Sequence, residues 1–298
     1  MAKRKLTQNQ SRRIKQKQHD SNTQATPSTA LEDDSHLGAE QAGRVVAHYG
    51  TQVDIEYGDQ QTRRCFLRAN LDSVVTGDHI IWRDGDDMGV VVSCQPRSSL
   101  LSRPDSYGKL KPIAANVDQI IVTVAPRPEC FTGLIDRYLV VAEANNIQAV
   151  ILINKSELID DENADFFADI HTRYSKLGYT VLSISAKQGL GIDALNAQLR
   201  NVTSILVGQS GVGKSSIIKH LMPEQDIQIG DLSDAKQKGR HTTTHSQLFH
   251  FRDGGECIDS PGIREFGLWH LDASAVTAGF IELRELAGQC KFRDCTHQ

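Results

Sequence analysis

The sequence predicts an α/β protein, with a doubly wound parallel sheet preceded by a small all-β barrel and followed by a short helical segment that ends in cysteines and a histidine. Three observations carry this reading. From Gly43, five short stretches rich in β-branched and aromatic residues, separated by Gly or Asp turns, crowd into about fifty residues. From Gln119 onward, apolar strand patterns alternate with stretches of helical spacing. Between one such strand and the next helix stands a glycine-rich loop, GQSGVGKSS (208–216).

A chain of 298 residues is long enough for one good-sized core and one or two smaller modules. Formal charge is only −4, yet the first twenty residues carry seven Lys or Arg against one Asp. Residues 1–40 hold few large apolar groups and turn acidic at LEDD (31–34), so they cannot bury enough surface to offset chain entropy, and a disordered basic tail is expected there. No apolar run approaches the length of a membrane span, and no apolar stretch follows the basic start as a secretory signal would require. Four of the six cysteines are scattered and only Cys290 and Cys295 lie close together, which argues against a disulfide framework and for a reducing, cytoplasmic setting. A soluble monomer away from membranes is expected.

The five stretches GRVVAHY, TQVDIEY, RRCFLR, DHIIWR and MGVVVSC read as the strands of an OB-fold barrel over 41–100. In VDIEY, Val53, Ile55 and Tyr57 point one way while Asp54 and Glu56 point the other. Residues 101–118, with the Ser98 to Leu100 lead-in, carry Pro, Gly and Ser punctuation and read as a connector. Over 119–270 the alternation begins with QIIVTVA, apolar enough for a buried parallel strand. LIDRYLVVAEAN follows as a helix, AVILIN as a strand, the DFFADIHTRYSKLG region as a helix, VLSIS as a strand, IDALNAQLRN as a helix and SILVG as a strand. Residues 271–298 read as helical to about Ala287 and then as part of a zinc-binding domain.

Residues 208–215 satisfy the eight-position phosphate-loop pattern, follow a predicted strand and open a predicted helix over 214–221. Gly208, Gly211 and Gly213 let the backbone curl so that the N–H groups of Gln209, Ser210, Val212 and their neighbours through Ser216 face phosphates. Lys214 is placed to span the terminal phosphates, and Ser215 offers a hydroxyl to Mg²⁺.

Base selection is read from NKSEL (154–158), which follows the strand AVILI and so lies at a carboxyl end of the sheet. Asn154 and Lys155 open the motif, and Glu157, three positions after the Asn, is a carboxylate able to accept from guanine N1 and N2. The usual GTPase residue there is Asp, so the longer side chain must reseat. Taken alone, the Asn-Lys pair is equally well explained as a capped helix start. Ser185, Ala186 and Lys187 follow a second strand and match the loop whose backbone supports the guanine oxygen. Downstream of the phosphate loop, GRHTTT (239–244) supplies threonines for a first switch, and DSPG (259–262) supplies Asp259 for Mg²⁺ through water and Gly262 for the γ-phosphate. The order is base, base, phosphate, switch one, switch two, whereas the usual order begins with the phosphate loop. Cutting a doubly wound sheet in a surface loop and joining its old ends leaves the site intact. A circularly permuted P-loop GTPase is therefore expected, with its second switch running directly into the C-terminal segment.

Taken together, the barrel, the permuted NKSE, SAK, GQSGVGKSS, GRHTTT, DSPGIREFGLWHL and the terminal CKFRDCTH resemble the RsgA (YjeQ) family of GTPases that depend on the small ribosomal subunit. The likeness covers nearly the whole chain from Gly43. It implies an OB fold on ribosomal RNA, a central GTPase using GTP/GDP and Mg²⁺, a C-terminal Zn²⁺ domain, and hydrolysis stimulated by the small subunit during its late maturation. Ile263 stands where many GTPases carry a water-orienting Gln and has no polar group to offer, so another residue must act. His241 is chemically suited, and the resemblance assigns it the catalytic role. The resemblance likewise assigns Thr243 to Mg²⁺ and the γ-phosphate, while spacing alone also allows Thr242 or Thr244. Cys290, Cys295 and His297 are ligands suited to zinc, but a structural zinc site takes four. The family's fourth ligand, a Cys a few residues further on, is missing here, so an incomplete site is expected.

In the barrel, Arg63, Arg64, Arg68 and Arg83 lie near Tyr49, Phe66 and Trp82, a mixture suited to RNA stacking, which solvated arginines and core aromatics explain nearly as well. Two other functions stay open: an RNA-binding module that senses GTP with negligible hydrolysis, motivated by Ile263, and a P-loop ATPase or kinase, motivated by Glu157.

Overall fold

The computed structural model describes residues 37–69, 71, 73–105, 107–222, 246–259, 271–284, 286 and 289. The basic tail lies outside them.

The five barrel stretches fold as β1 (Glu40–His48), β2 (Gln52–Tyr57), β3 (Gln61–Leu67), β4 (His79–Arg83) and β5 (Gly89–Cys94). They close in the order β1-β2-β3-β5-β4 and back to β1, with β3 and β5 parallel and the other pairs antiparallel. Alternation in β2 sends Val53 and Ile55 into the barrel, where they pack with Val45, Cys65, Ile80, Trp82 and Val91. Tyr57 stays half-buried against Trp82, ring centroids 4.9 Å apart. Trp82 is itself fully buried, so of the aromatics read as RNA-stacking candidates it is a core residue.

The stretch read as a connector contains an antiparallel hairpin, β6 (Leu100–Pro104) and β7 (Leu110–Ala115). Its turn uses the expected Pro and Gly, but Leu101, Ile113 and Ala114 are buried and join the core of the α/β region. That apolar content was hidden in the sequence by the surrounding punctuation.

The α/β region follows as β8 (Gln119–Val124), α1 (Thr132–Ala144), β9 (Gln148–Ile153), α2 (Ala164–Lys176), β10 (Thr180–Ser183), α3 (Ile192–Leu199), β11 (Thr203–Val207), α4 (Lys214–Leu221), β12 (Ser246–His250) and β13 (Glu256–Asp259). The strands run in the order β10-β9-β8-β11-β13-β12, parallel except for antiparallel β12. Side chains alternate between faces: Ile120, Val122, Ile151 and Ile153 meet α1 and α2, whereas Ile121, Val150 and Leu152 meet α3 and α4. This double covering explains why β8, β9 and β11 read as nearly continuous apolar runs.

Chain direction across the sheet reverses at β8, which has β9 on one side and β11 on the other. A ligand crevice belongs at the carboxyl ends beside such a reversal. Strand β12 had no strand signal in the sequence reading. It pairs with β13 and, on its other edge, with β1 of the barrel, so that one sheet runs through both modules.

The C-terminal stretch read as one helix is two, α5 (Ala273–Gly279) and α6 (Ile281–Arg284), interrupted at Phe280, whose backbone is extended. Asp272 caps α5 by accepting the Ala275 amide at 2.8 Å. Gly279 comes so close to α1 that a Cβ there would lie 2.6 Å from Val140 Cγ1. Arg284 Nη2 donates to Glu143 Oε2 of α1 at 2.7 Å. Both short helices are thus held against α1, α5 through Gly279 and α6 through Arg284.

Candidate nucleotide site

Four loops meet at the carboxyl ends of β8, β9, β10 and β11. Gly208, the first residue after β11, takes φ of 135°, and a Cβ on it would lie 2.1 Å from the Thr123 carbonyl of β8. Only glycine fits there. The loop then rises through half-buried Gln209 and exposed Ser210 and Gly211, and turns back in at buried Val212. Gly213 caps α4 with φ of 97°, and its absent Cβ leaves room for Asn154 Nδ2, which would otherwise be 2.4 Å away.

Lys214 folds back over this loop and donates from Nζ to the carbonyls of Gly208 and Gln209, each at 2.7 Å. The ammonium is thus held over the hollow that the loop surrounds, at the positive end of α4. Ser215 is half-buried in the first turn of α4, and Ser216 beside it is exposed.

Asn154 is buried, and its amide joins three loops. Nδ2 donates to the Val212 carbonyl at 2.9 Å, Oδ1 accepts the Ala186 amide at 3.2 Å, and its backbone N–H is held by Val124 of β8 at 2.8 Å. Lys155 adopts the left-handed conformation, φ 59°, and crosses the phosphate loop to donate from Nζ to the carbonyls of Gly211 at 2.7 Å and Arg127 at 2.9 Å. These two hydrogen bonds tie the loop after β9 to the glycine-rich loop.

Glu157 sits in a 3-10 turn, Ser156–Leu158, opposite the loop after β10. A hydrogen bond from Ser185 holds its carboxyl below the usual carboxylate range, with Lys187 and Lys155 acting the same way. Oε2 is shielded from solvent and has no hydrogen-bond partner among the described residues. A ligand that donates there would supply the bond this oxygen lacks. Ser185 is fully buried, and its loop closes through the bridge to Leu190, while Lys187 is exposed.

Sequence reading passed over two features of this site. Segment 125–128, just after β8, lines the phosphate loop: the Arg127 carbonyl receives Lys155, and Pro128 Cδ lies 3.6 Å from where a Gly211 Cβ would be. The PRP punctuation directly behind a buried strand was the available signal. Tyr138 of α1 is also buried against the loop; burial raises its pKa, and the hydrogen bond from the Gly208 amide opposes that rise. No local pattern marks it.

Asp259 closes β13, half-buried, two strands' width from β8. The remaining sequence-derived candidates, His241, Thr243 and Gly262 for catalysis, Mg²⁺ and the γ-phosphate, and Cys290, Cys295 and His297 for zinc, lie outside the described residues.

The family model of the RsgA GTPase matches residues 94–269. A curated protein from Saccharophagus degradans, the small ribosomal subunit biogenesis GTPase RsgA, is 56% identical over 307 aligned residues that span all of this chain and 89% of the relative. Its namesake from Pseudomonas aeruginosa is 51% identical over 302 residues, again across all of this chain and 89% of the relative. Among solved structures, YjeQ from Thermotoga maritima superposes with a TM-score of 0.71 at 31% identity, covering 87% of each chain. YloQ, described as a circularly permuted GTPase, superposes with a TM-score of 0.66 at 25% identity over 90% of this chain and 86% of its own. Family model, relatives and folds agree with the permuted order of loops around Asn154, and the chain belongs to the RsgA GTPase family of circularly permuted GTP hydrolases.

Proposed function

We propose that this protein binds the small ribosomal subunit through its rRNA and hydrolyses GTP there during late maturation of the subunit. The observation that carries the guanine half of this reading is Glu157 Oε2, an acceptor without a partner among the described residues, on a carboxylate kept ionised by Ser185. Guanine N1 and N2 are donors; adenine presents an acceptor at N1 and has no group at C2. The ribosomal half is supported by the relatives' description as small ribosomal subunit biogenesis GTPases.

In this reading Asn154, Glu157 and the backbone of Ser185, Ala186 and Lys187 hold the base, while the amides of residues 208–216 and Lys214 hold the phosphates. Ser215, Thr243 and Asp259 are hard oxygen donors that fit Mg²⁺, which when bound neutralises charge on the phosphate oxygens. His241 orients a water whose oxygen forms the new bond to the γ-phosphorus as the bond to the bridging oxygen breaks, leaving GDP and inorganic phosphate. Gly262 meets the γ-phosphate through its backbone. Cys290, Cys295 and His297 would supply thiolate and imidazole donors to Zn²⁺, three of the four that a structural site takes, so the zinc site is read as incomplete.

On the barrel, Phe66 is 45% exposed and Arg64 lies 4.3 Å over the Tyr49 ring, a pairing that offers stacking surface to RNA. Arg64 is held there by a bidentate pair with Asp54, and Arg63 by Asp84. In this reading the protein acts in the cytoplasm as a monomer.

GTP turnover measured with and without purified small subunits, at two salt concentrations and with ATP as control, tests the proposal. The expected result is stimulation specific to GTP that weakens as salt rises. Tight GTP binding with no stimulation would overturn it in favour of a sensing module, and equal turnover of ATP would overturn the assignment of Glu157.

A further inference from the structure

The amino ends of the sheet, opposite the nucleotide, carry a cluster of charges that joins the barrel to the strands feeding the site. Arg44 of β1 forms an ion pair with Glu256 at the start of β13 and donates from Nη2 to Thr203 Oγ1, at the start of β11, at 2.8 Å. Thr203 Oγ1 in turn donates to Glu256 Oε2 at 2.9 Å, and the two residues are directly paired in the sheet. A second arm crosses from β2: Glu56 Oε2 lies 2.7 Å from His250 Nε2 of β12, whose Nδ1 is 3.4 Å from Glu256 Oε1. At the opposite end of β12 the barrel's Thr76 hydroxyl donates to the Ser246 carbonyl at 3.1 Å, and β1 pairs with β12 through Ala47 with Gln247 and His48 with Ser246.

The three strands gripped here are those that lead to or from the loops of the site. Strand β11 runs into the phosphate loop at Gly208, β13 ends at Asp259, and β12 follows directly on residues 239–245. The side chains of Arg44, Glu256 and Glu56 are each at most 20% exposed, so solvent screens these pairs less than it would at the open surface. Strands are stiff along their length, and five residues of β11 carry a shift at Thr203 about 17 Å to the phosphate loop.

We propose that the Arg44–Glu256 and Glu56–His250 pairs form a clamp that positions the strands bearing the switches and couples the nucleotide state to the barrel. The clamp is a positioning device, since none of its residues belongs to the nucleotide site. It rests on the proposed reading of residues 239–244 and 259–262 as switches. Because coupling between two sites is reciprocal, a barrel ligand that biases the clamp also biases the nucleotide site.

The test is hydrogen–deuterium exchange of the full chain, compared between GDP and a non-hydrolysable GTP analogue, in the wild type, Arg44→Glu, Glu256→Arg and the charge-swapped double variant. The expected result is a several-fold nucleotide-dependent difference in exchange at residues 44–57 of the wild type, lost in each single variant and regained in the swap, with nucleotide saturating in every sample. Glu56→Ala breaks the other arm and carries the test if Arg44→Glu does not fold; it should lose at least half of the difference. Response at residues 239–262 without response at 44–57, or variants that keep the wild-type difference, would overturn the clamp alone. No response at either segment would overturn the switch reading and the clamp with it. Small-subunit stimulation is judged separately by turnover.

Discussion

Asn154 donates from Nδ2 to the Val212 carbonyl at 2.9 Å, joining the loop after β9, proposed to read the base, to the glycine-rich loop after β11, proposed to hold the phosphates. Because the same amide accepts from Ala186, one side chain sets the mutual position of three loops contributed by β9, β10 and β11. Asn154→Ala should therefore leave the Val212 carbonyl and the Ala186 amide unpaired in a buried place. At roughly 1–2 kcal/mol per lost bond, nucleotide affinity is expected to fall by about 30-fold to 1,000-fold, with a lower Tm. Titration with a fluorescent GDP and a thermal melt would measure both.

Glu157 should decide the base. Glu157→Gln removes the charge and turns one acceptor into a donor, so GTP affinity should fall by about 10-fold to 100-fold while ATP affinity stays where it is. Competition binding with the two nucleotides reads this directly. The Ser185 hydrogen bond depresses the Glu157 pKa, so its carboxylate contribution is present above the unfolded-state value and disappears only as pH falls through the lower folded value. Affinity for GTP should accordingly be flat across neutral pH on account of this residue and decline only in acid.

Glycine is required at two points of the phosphate loop for different neighbours. Gly208→Ala drives a methyl into the Thr123 carbonyl and Gly213→Ala drives one into Asn154, each from a positive φ. Strain of about 1–3 kcal/mol from the backbone alone is expected at each site, with the clash in addition. The two should differ on relief. Gly213→Ala combined with Asn154→Ala should be less destabilised than the sum of the singles, whereas Gly208→Ala has only backbone to push against and finds no such partner. Denaturant unfolding of the single and double variants would show it.

On the barrel, exposure separates recognition from stability. Phe66→Ala should change stability by no more than about 0.5 kcal/mol yet weaken RNA binding by about 1–3 kcal/mol if bases stack there. Trp82→Ala should cost about 3–5 kcal/mol of stability because the indole fills the barrel core. Parallel unfolding curves and binding to single-stranded RNA distinguish the two.

Much of the site was legible because its chemistry is written in short contiguous motifs. The pattern GQSGVGKSS needs its glycines for the turn at Gly208 and the approach at Gly213, and those demands are local. The base loop was legible for the same reason, although nothing in NKSEL announces that Lys155 reaches back to Gly211 or that Oε2 of Glu157 is left without a partner. Tyr138 and the Arg127 carbonyl were missed because their roles come from where α1 and the turn after β8 lie in space, not from residue type.

The sequence by itself determined the alternation of strands and helices, the closed five-strand module before it, and the permuted order of the nucleotide loops. Hydrophobic periodicity and turn chemistry act over a few residues, and each leaves its mark in a short window. Tertiary structure alone decided that β12 is a strand, that it joins β1 to make one sheet, that the presumed connector buries a hairpin, and that the C-terminal helix breaks at Phe280 against α1. It also brought Arg44 to Glu256 across 212 positions. Such pairings depend on which edges and charges remain unsatisfied once the cores have formed, and no local window of sequence contains that information.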